Sequence, residues 1–246
     1  MDRWAGKVAV VTGASAGIGA AIAKQLVRNG MLVAGLARRP EKIKELAESL
    51  EDWPGKLYAV ECDVSKEESV TSAFAWVQEN LGSVNVLVNN AGMTKESSLI
   101  DGTLEDWRVV FDVNVLGLCL CTREAVRAMR ETGEEGVVIN VNSYAADRVP
   151  FIPGFSVYPA SKRSVTALAQ TLRHELTGTR IRVTSISPGL VATELMASYS
   201  TFSGEALASL PTLDPEDVAA AAVYILSSES HVVVQDIVLR PLGESW

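Results

Sequence analysis

The fold is decided by the stretch Thr12-Gly13-Ala14-Ser15-Ala16-Gly17-Ile18-Gly19. An apolar run precedes it, and afterwards Ile18, Ile22 and Leu26 recur every four residues, as on one face of a helix that would end at Gly30. Glycine lets the backbone turn tightly and approach a phosphate, and a helix N-terminus offers free N–H groups. The stretch predicts strand, anion-binding turn and helix, although a tight turn without a ligand needs glycine too.

The rest of the chain repeats this alternation of short apolar runs and segments of helical period. The apolar runs, rich in Val and Ile, occupy residues 8–12, 32–37, 57–61, 84–89, 137–141, 181–186 and 237–239. Further helical segments occupy residues 40–50, 67–81, 104–130, 157–176 and 215–226. Such βα alternation is typical of a parallel sheet covered on both faces. We therefore predict an α/β fold: a Rossmann-type doubly wound parallel sheet of about seven strands in three α/β/α layers.

Composition and charge exclude several classes of protein. With 246 residues, 48% hydrophobic and 21% charged, the chain has the composition of a globular protein. We expect one dinucleotide-binding catalytic domain over residues 1–246, rather than two small domains. The formal charge of −8 argues against the clustered Lys and Arg that nucleic acid or anionic lipid requires. An anionic ligand would therefore have to be held by local groups.

Three cysteines, Cys62, Cys119 and Cys121, are too few and too unevenly spaced for a disulfide framework, and none forms a CxxC pair. We therefore expect no metal site and a reducing compartment. The first residues lack the pattern of a secretory signal, and no segment reaches the roughly 18 to 20 apolar residues that span a bilayer. These observations predict a cytoplasmic protein without membrane insertion.

One stretch, residues 194–211, breaks the alternation directly after a predicted strand. In open parallel sheets ligands bind beyond the carboxyl ends of the strands, so we interpret this stretch as a substrate lid. A plain surface loop is the alternative.

The second predicted strand ends in Arg38-Arg39. A carboxylate at that position would hold the ribose 2′-hydroxyl of NAD, whereas arginine offers a planar partner to the additional phosphate of NADP. The pair therefore favours NADP(H), unless both side chains only cap the strand in solvent.

Polar and small residues follow the third and fourth predicted strands. Asp63 could accept a hydrogen bond from an adenine amine, and Ala91-Gly92 could let a cofactor pass closely. Asn89 is as well suited to joining neighbouring strands through its amide as to touching a ligand.

Tyr158-Pro159-Ala160-Ser161-Lys162 begins a helical segment. Residues four apart share a helix face, so the Lys162 ammonium is expected near the Tyr158 phenol, where it would favour ionisation and bring the phenol into use near neutrality. An isolated YxxxK pattern is more often a tyrosine packed under a lysine stem.

This pattern is not isolated. The TGxxxGxG turn, the Asn89-Asn90-Ala91-Gly92 tetrapeptide, Asn114, Ser143, YxxxK and Pro188-Gly189 occur in the order typical of the short-chain dehydrogenase/reductase family, which the whole chain resembles. The ends Met1-Asp2-Arg3-Trp4 and Val238-Leu239-Arg240-Pro241, with the Arg38-Arg39 pair, resemble more narrowly the group that holds animal dehydrogenase/reductase member 11 and insect farnesol dehydrogenase.

The resemblance implies a role for each of four residues in hydride transfer between NADP(H) and a carbonyl or alcohol carbon. Tyr158 would donate or accept the substrate proton, and Lys162 would lower its pKa and bind the nicotinamide ribose. Ser143 would orient the carbonyl, and Asn114 would hold a water in a proton relay toward Lys162. Four retained residues argue against the alternative, a catalytically silent NADP-binding scaffold or redox sensor.

The resemblance also implies the cofactor contacts. Besides Tyr158 and Lys162, they fall on Gly13, Ser15, Gly17, Ile18, Gly19, Arg38, Arg39, Asp63, Val64 and Asn90, with Pro188, Gly189 and Thr193 on the carboxamide side of nicotinamide. Two departures stand out. Ala16 replaces a basic residue that many NADP-preferring members carry. Ser143 lies two residues farther from Tyr158 than usual, which leaves Asn142 as an alternative candidate for the role assigned to Ser143.

The nature of the substrate and the assembly are further expectations. An apolar isoprenoid, retinoid, steroid or aromatic carbonyl would suit a pocket with apolar and aromatic walls. The predicted wall residues are Tyr144, Val149, Phe151, Ile152, Phe155, Leu195, Met196, Tyr199, Phe202 and Leu207. Packing in the protein core would explain several of them equally well. The length leaves no room for the second domain of nucleotide-sugar epimerases. The resemblance implies a homodimer or homotetramer formed through helices 104–130 and 157–176.

Overall fold

The computed structural model describes residues 1–197, 199–200 and 210–244. Seven parallel strands form one sheet in the order β3-β2-β1-β4-β5-β6-β7. The strands are β1 (Val8–Thr12), β2 (Leu32–Ala37), β3 (Lys56–Glu61), β4 (Val84–Asn89), β5 (Gly136–Val141), β6 (Ile181–Pro188) and β7 (Asp236–Leu239). The predicted Rossmann-type sheet is confirmed.

Helices cover both faces of the sheet because its central strands are apolar on both sides. They are α1 (Gly17–Arg28), α2 (Glu41–Glu48), α3 (Glu67–Asn80), α4 (Leu104–Phe111), α5 (Leu118–Thr132), α6 (Tyr158–Glu175), α7 (Glu194–Ala197) and α8 (Pro215–Ser227). On one face, Ile22 and Leu26 of α1 pack with Ile225 of α8. On the other, α3 and α5 contribute Phe74 and Val126 to a second apolar cluster.

The helix predicted over residues 104–130 is not continuous. A π-helical segment, Asp112–Gly117, separates α4 from α5. The wider turn has two consequences in the structure. It brings Asn114 inside, where the side chain is buried, and it lets Gly117 approach the Val64 carbonyl so closely that a Cβ would lie 2.9 Å from that oxygen. Hydrophobic periodicity could not reveal the interruption because residues on both sides remain apolar.

Only part of the predicted lid is described. Helix α7, Tyr199, Ser200, Leu210 and Pro211 are placed, whereas Phe202 and Leu207 lie outside the described residues. Within the described ranges, no helix is long and apolar enough to cross a membrane.

Asn89 joins three elements beneath the carboxyl edge of the sheet. Its Nδ2 donates to Asn140 Oδ1 on β5 and to Thr122 Oγ1 on α5, both at 2.9 Å. All three side chains are buried. Of the two interpretations of Asn89, the geometry therefore matches the one in which its amide joins neighbouring strands.

Replacing Asn89 by Ala should lower the free energy of unfolding by about 1–3 kcal/mol, because two buried acceptors lose their donor. Urea denaturation measures the change, and Asn80→Ala, at an exposed helical position, is the matched control. Equal midpoints for the two variants would contradict the structural role of Asn89.

Candidate active site

The carboxyl ends of β1 and β4 mark the point where the sheet order reverses, which in such sheets opens a ligand crevice. A cleft of about 440 Å³ lies there. Its lining includes Gly13, Ser15, Gly17, Ile18, Arg38, Asp63, Val64, Asn90, Gly92, Asn142, Tyr158, Lys162 and Thr193. Most of the residues predicted from sequence to hold a cofactor therefore share one cavity.

The glycine turn packs closely against the segment after β4 and against the start of α1. Gly13 has φ +67°, and a Cβ there would lie 2.9 Å from the Ala91 Cα. Gly19, predicted as a cofactor contact, is buried, and a Cβ there would lie 2.3 Å from the Gly13 carbonyl oxygen. Gly19 thus permits close packing of helix on turn. No side chain caps the helix at Ala16, so first-turn N–H groups stay available to an anion.

Thr12 ties the glycine turn to the segment after β4. Its hydroxyl oxygen accepts from the N–H groups of Asn90 (3.0 Å) and Ala91 (2.9 Å). In return, Asn90 Nδ2 donates to the carbonyls of Thr12 (2.9 Å) and Gly13 (3.2 Å). Asn90 is the residue predicted as a cofactor contact, and its side-chain amide nitrogen holds the turn.

Arg38 and Asp63 lie together at one end of the cleft. Arg38 is exposed and lines the cavity, whereas Arg39 is exposed and is not among the described lining residues. Burial opposes ionisation of Asp63, but hydrogen bonds from Ser65 and the charges of Lys66 and Arg38 hold the pKa of its carboxyl below the usual value. The end of the cleft therefore presents one cation and one anion.

Tyr158 and Lys162 occupy the opposite end of the cleft, Tyr158 at the first residue of α6 and Lys162 one turn later. Burial raises the pKa of Tyr158 to about 12, against the opposing effect of a hydrogen bond with Ser143. Burial also lowers the pKa of Lys162 to about 8. Lys162 Nζ donates to the Val141 carbonyl at 2.9 Å and lies 5.8 Å from the centroid of the Tyr158 ring.

This arrangement corrects one expectation. The sequence predicted that Lys162 would lower the pKa of Tyr158, whereas in the structure that pKa is raised. The reason is that burial of the phenol outweighs its other interactions, and the ammonium is directed to a backbone carbonyl. The phenol is therefore held protonated.

Ser143 stands beside Tyr158 because it begins a short turn. Its Oγ accepts from the Ala145 N–H at 3.1 Å and so caps the 3₁₀ turn Tyr144–Ala146. Asn142, its competitor from sequence, donates instead to Thr166 Oγ1 at 2.9 Å. Of the two, Ser143 is the residue whose side chain acts on the Tyr158 hydroxyl, lowering its pKa.

Asn114 is fixed by the segment after β4 and by α6. Its Oδ1 accepts from Met93 N–H (2.8 Å), and its Nδ2 donates to the Met93 carbonyl (2.9 Å) and to Ser161 Oγ (3.0 Å). Ser161 Oγ in turn donates to the Tyr158 carbonyl at 2.7 Å. Asn114 is thus joined to the helical turn that carries Tyr158 and Lys162.

A smaller cavity of about 90 Å³, here called the chamber, adjoins the cleft at Tyr158. Its walls include Ser143, Tyr144, Ile152, Phe155, Pro188, Gly189, Leu195, Met196 and Glu244. Tyr199 is buried behind them, its ring 5.2 Å from that of Phe155. The prediction that Phe151 and Val149 line the substrate pocket was wrong. Phe151 is fully exposed and Val149 is 75% exposed, because their part of the loop faces solvent.

Comparison with known proteins identifies the family. Residues 7–203 match the family model described as short chain dehydrogenase. The chain belongs to the short-chain dehydrogenase family. It is 46% identical over 251 residues to the farnesol dehydrogenase of Aedes aegypti, with both chains covered completely. It is 44% identical to dehydrogenase/reductase SDR family member 11 of Mus musculus, covering 98% of this chain and 96% of that protein. The resemblance seen in the sequence is confirmed.

Solved structures agree with this membership. An alcohol dehydrogenase of Thermococcus sibiricus complexed with 5-hydroxy-NADP superposes with a TM-score of 0.85 at 30% identity, covering 98% of each chain. A short-chain dehydrogenase/reductase of Burkholderia phymatum in complex with NAD gives 0.83 at 26% identity, covering 97% of this chain and 90% of that one. This member of the short-chain dehydrogenase family is an oxidoreductase for alcohol or carbonyl groups that uses a nicotinamide cofactor.

Three residues of this family member's site had no role assigned from sequence. Thr12 was quoted only as part of the glycine motif, and nothing in the sequence indicated that its hydroxyl bridges two strands. Ser161 is a small polar residue inside a helix. Glu244 reaches the chamber from the C-terminal end through a turn, which no spacing rule could predict.

The buried ammonium makes stability depend on pH. Because the pKa of Lys162 falls from 10.5 to about 8 on folding, the unfolded chain binds more protons between pH 8 and 10.5, and stability rises with pH there. Compared with Lys162→Met, the parent protein should gain roughly 2–3 kcal/mol of unfolding free energy between pH 7 and 10. Urea denaturation at each pH, with Lys56→Met as exposed control, measures this. A pH-independent difference would contradict the burial of the charge.

Proposed function

We propose that this chain is an NADP(H)-dependent oxidoreductase. It transfers a hydride between the nicotinamide and a carbonyl carbon, or a primary or secondary alcohol carbon, of a small apolar substrate. Tyr158 is the acid/base, and Ser143 orients the reacting oxygen. Lys162 and Asn114 resupply Tyr158 with protons.

The observation that carries the proposal is the position of Tyr158. Its side chain lines both the cleft and the chamber, and Ser143 lies next to it on the chamber side. A carbonyl in the chamber would lie within reach of two hydroxyls while its carbon faces the cleft. A hydride donor and a proton donor can then act on the two ends of one C=O bond.

The protonation states suit the reduction of a carbonyl in this assignment. Because burial holds the pKa of Tyr158 at about 12, the phenol keeps its proton until the oxygen of the substrate gains negative charge. Lys162, with a pKa of about 8, gains or loses a proton near neutral pH. We propose that it resupplies Tyr158 through the polar groups around Asn114, with water completing the relay.

The described residues fit a dinucleotide. The cleft runs from Arg38 to Tyr158 past the turn at Gly13, and no side chain caps the first turn of α1. We assign the pyrophosphate to the turn 13–19, adenosine to Asp63, Val64 and Asn90, the nicotinamide ribose to Tyr158 and Lys162, and the carboxamide to Pro188, Gly189 and Thr193. The bound cofactor supplies or accepts the hydride.

The preference for NADP(H) is assigned to Arg38. Its guanidinium lines the cleft next to Asp63, at the end of β2 where a NAD-binding site would need a carboxylate. Arg39 lies beside it in sequence and adds positive charge at the same edge. Ala16 contributes no charge to this site.

The lining of the chamber supports an apolar substrate. Ile152, Phe155, Leu195 and Met196 line it, and Tyr199 packs behind Phe155. The name of the mosquito relative, farnesol dehydrogenase, supports an isoprenoid alcohol, with retinoids and steroids as further candidates of the same chemistry. We propose that residues 194–211 act as the lid of this chamber within one catalytic domain over residues 1–246.

Assembly and location complete the proposal. Leu104 on α4 and Leu116 in the π-helical segment are more than half exposed, which supports self-association through these helices in a homodimer or homotetramer. The three free cysteines support a reducing, cytoplasmic environment.

Tyr158→Phe should lower kcat by about 10²–10⁴-fold, because only the hydroxyl that exchanges the proton is lost. Turnover is followed as NADPH consumption with apolar aldehydes of increasing length, and Tyr224→Phe, on the exposed face of α8, is the control. Equal rates for Tyr158→Phe and the parent would reject the mechanism. NADPH binding without turnover by the parent would favour the silent scaffold.

Arg38→Asp should shift cofactor preference from NADPH toward NADH. Loss of a charge-assisted hydrogen bond to phosphate costs about 1.5–3 kcal/mol, or roughly 10- to 100-fold in kcat/KM for NADPH. The ratio of kcat/KM for the two cofactors is the measurement, with Arg28→Asp on the far end of α1 as control. An unchanged ratio would remove Arg38 from the cofactor site.

A further inference from the structure

The chain after β7 folds back onto the active site. Pro241–Glu244 form a turn in which the Glu244 N–H donates to the Pro241 carbonyl at 3.3 Å. Gly243, the third residue of this turn, has φ +91°. Turns with a positive φ at that position favour glycine there. The turn carries Glu244 into the wall of the chamber, where only 1% of its side chain is exposed.

The Glu244 carboxylate holds the loop that follows β6. Its Oε1 accepts from the Leu190 N–H at 3.1 Å, and its oxygens cover Gly189 so closely that a Cβ there would lie 2.6 Å from Oε2. The Leu190 carbonyl accepts from Leu213 N–H at 2.8 Å. Both backbone polar groups of Leu190 are therefore engaged, and the loop assigned to the carboxamide of nicotinamide is fixed from two sides.

Arg240 connects this carboxylate to the turn that begins at Ser143. Its Nε donates to Glu244 Oε2 at 2.6 Å. Its guanidinium carbon lies 4.3 Å from the centroid of the Tyr144 ring, and Nη1 donates to the Tyr144 hydroxyl at 3.4 Å. Tyr144 is the first residue of the turn that Ser143 caps. One ion pair therefore contacts both the Ser143 side and the Gly189 side of the chamber.

We propose that Arg240 and Glu244, here called the tail clamp, are positioning residues of the active site. Glu244 sets the distance of the Gly189–Leu190 loop from the nicotinamide half of the cofactor, and Arg240 sets the orientation of the Ser143 turn. A carboxylate withdrawn from water is costly unless it is paired, and here both of its oxygens are engaged beside the reacting groups. The inference rests on the proposed function, because it assigns the nicotinamide to that loop.

The test separates the two halves of the cofactor. Calorimetry measures the affinity for NADPH and for its nicotinamide-free fragment 2′,5′-ADP, and steady-state kinetics gives kcat and KM separately. The variants are Glu244→Ala, Glu244→Gln, Arg240→Ala and Arg240→Lys. Glu229→Ala and Arg28→Ala, both at exposed positions, are matched controls.

Glu244→Ala should weaken NADPH binding, and Arg240→Ala should lower kcat, each by about tenfold or more, because misplacement on the ångström scale has effects of that size. Affinity for 2′,5′-ADP should stay within twofold, and Glu244→Gln, which keeps an acceptor for Leu190, should lose less than Glu244→Ala. Arg240→Ala, which removes the cation paired with the Glu244 carboxylate, decides the matter if Glu244→Ala does not fold.

Two results would overturn the role of the tail clamp: NADPH affinity and kcat that match the control variants, or equal losses for NADPH and 2′,5′-ADP, which would indicate a purely structural role. A parent protein that binds neither ligand would instead refute the proposed cofactor, and the clamp assignment with it.

Discussion

The hydroxyl of Thr12 joins the two strands between which the order of the sheet reverses. By accepting from the N–H groups of Asn90 and Ala91, it holds the end of β1 against the segment after β4. The glycine turn, the start of α1 and the path of the chain past Gly92 are all placed relative to this contact. The cleft exists because these two strand ends are held together while their connections leave in opposite directions.

At the other end of the cleft, burial is the dominant physical effect. Lys162 is buried and Tyr158 is half-buried, and burial opposes the charged form of each, raising the pKa of the phenol and lowering that of the ammonium. The Val141 carbonyl offsets part of the cost by accepting from Lys162. Burying two proton-exchanging groups next to the proposed site of hydride transfer therefore lowers the stability of the fold. Such a loss of stability is common at functional sites.

The sheet and the shared location of the site residues were predictable from sequence because they depend on local patterns. Val8–Thr12 and Val84–Asn89 are apolar runs ending in turn residues, and strands that end at one edge bring Gly13, Asn90 and Tyr158 together. Gly19, the raised pKa of Tyr158 and the contacts of Glu244 depend on packing between distant segments. No residue pattern encodes the depth at which a phenol is buried, or where a terminal turn points.

The π-helical segment Asp112–Gly117 has a consequence for how the chain tolerates changes in length. A π turn accommodates one residue more than an α-helical turn, so deleting a single residue there would leave a regular helix. Each residue of a helix turns the chain by about 100°, so the deletion would rotate α5 against the sheet, or swing Asn114 away from Met93. The extra residue therefore lets α5 pack against the apolar core while Asn114 stays in contact with the polar site.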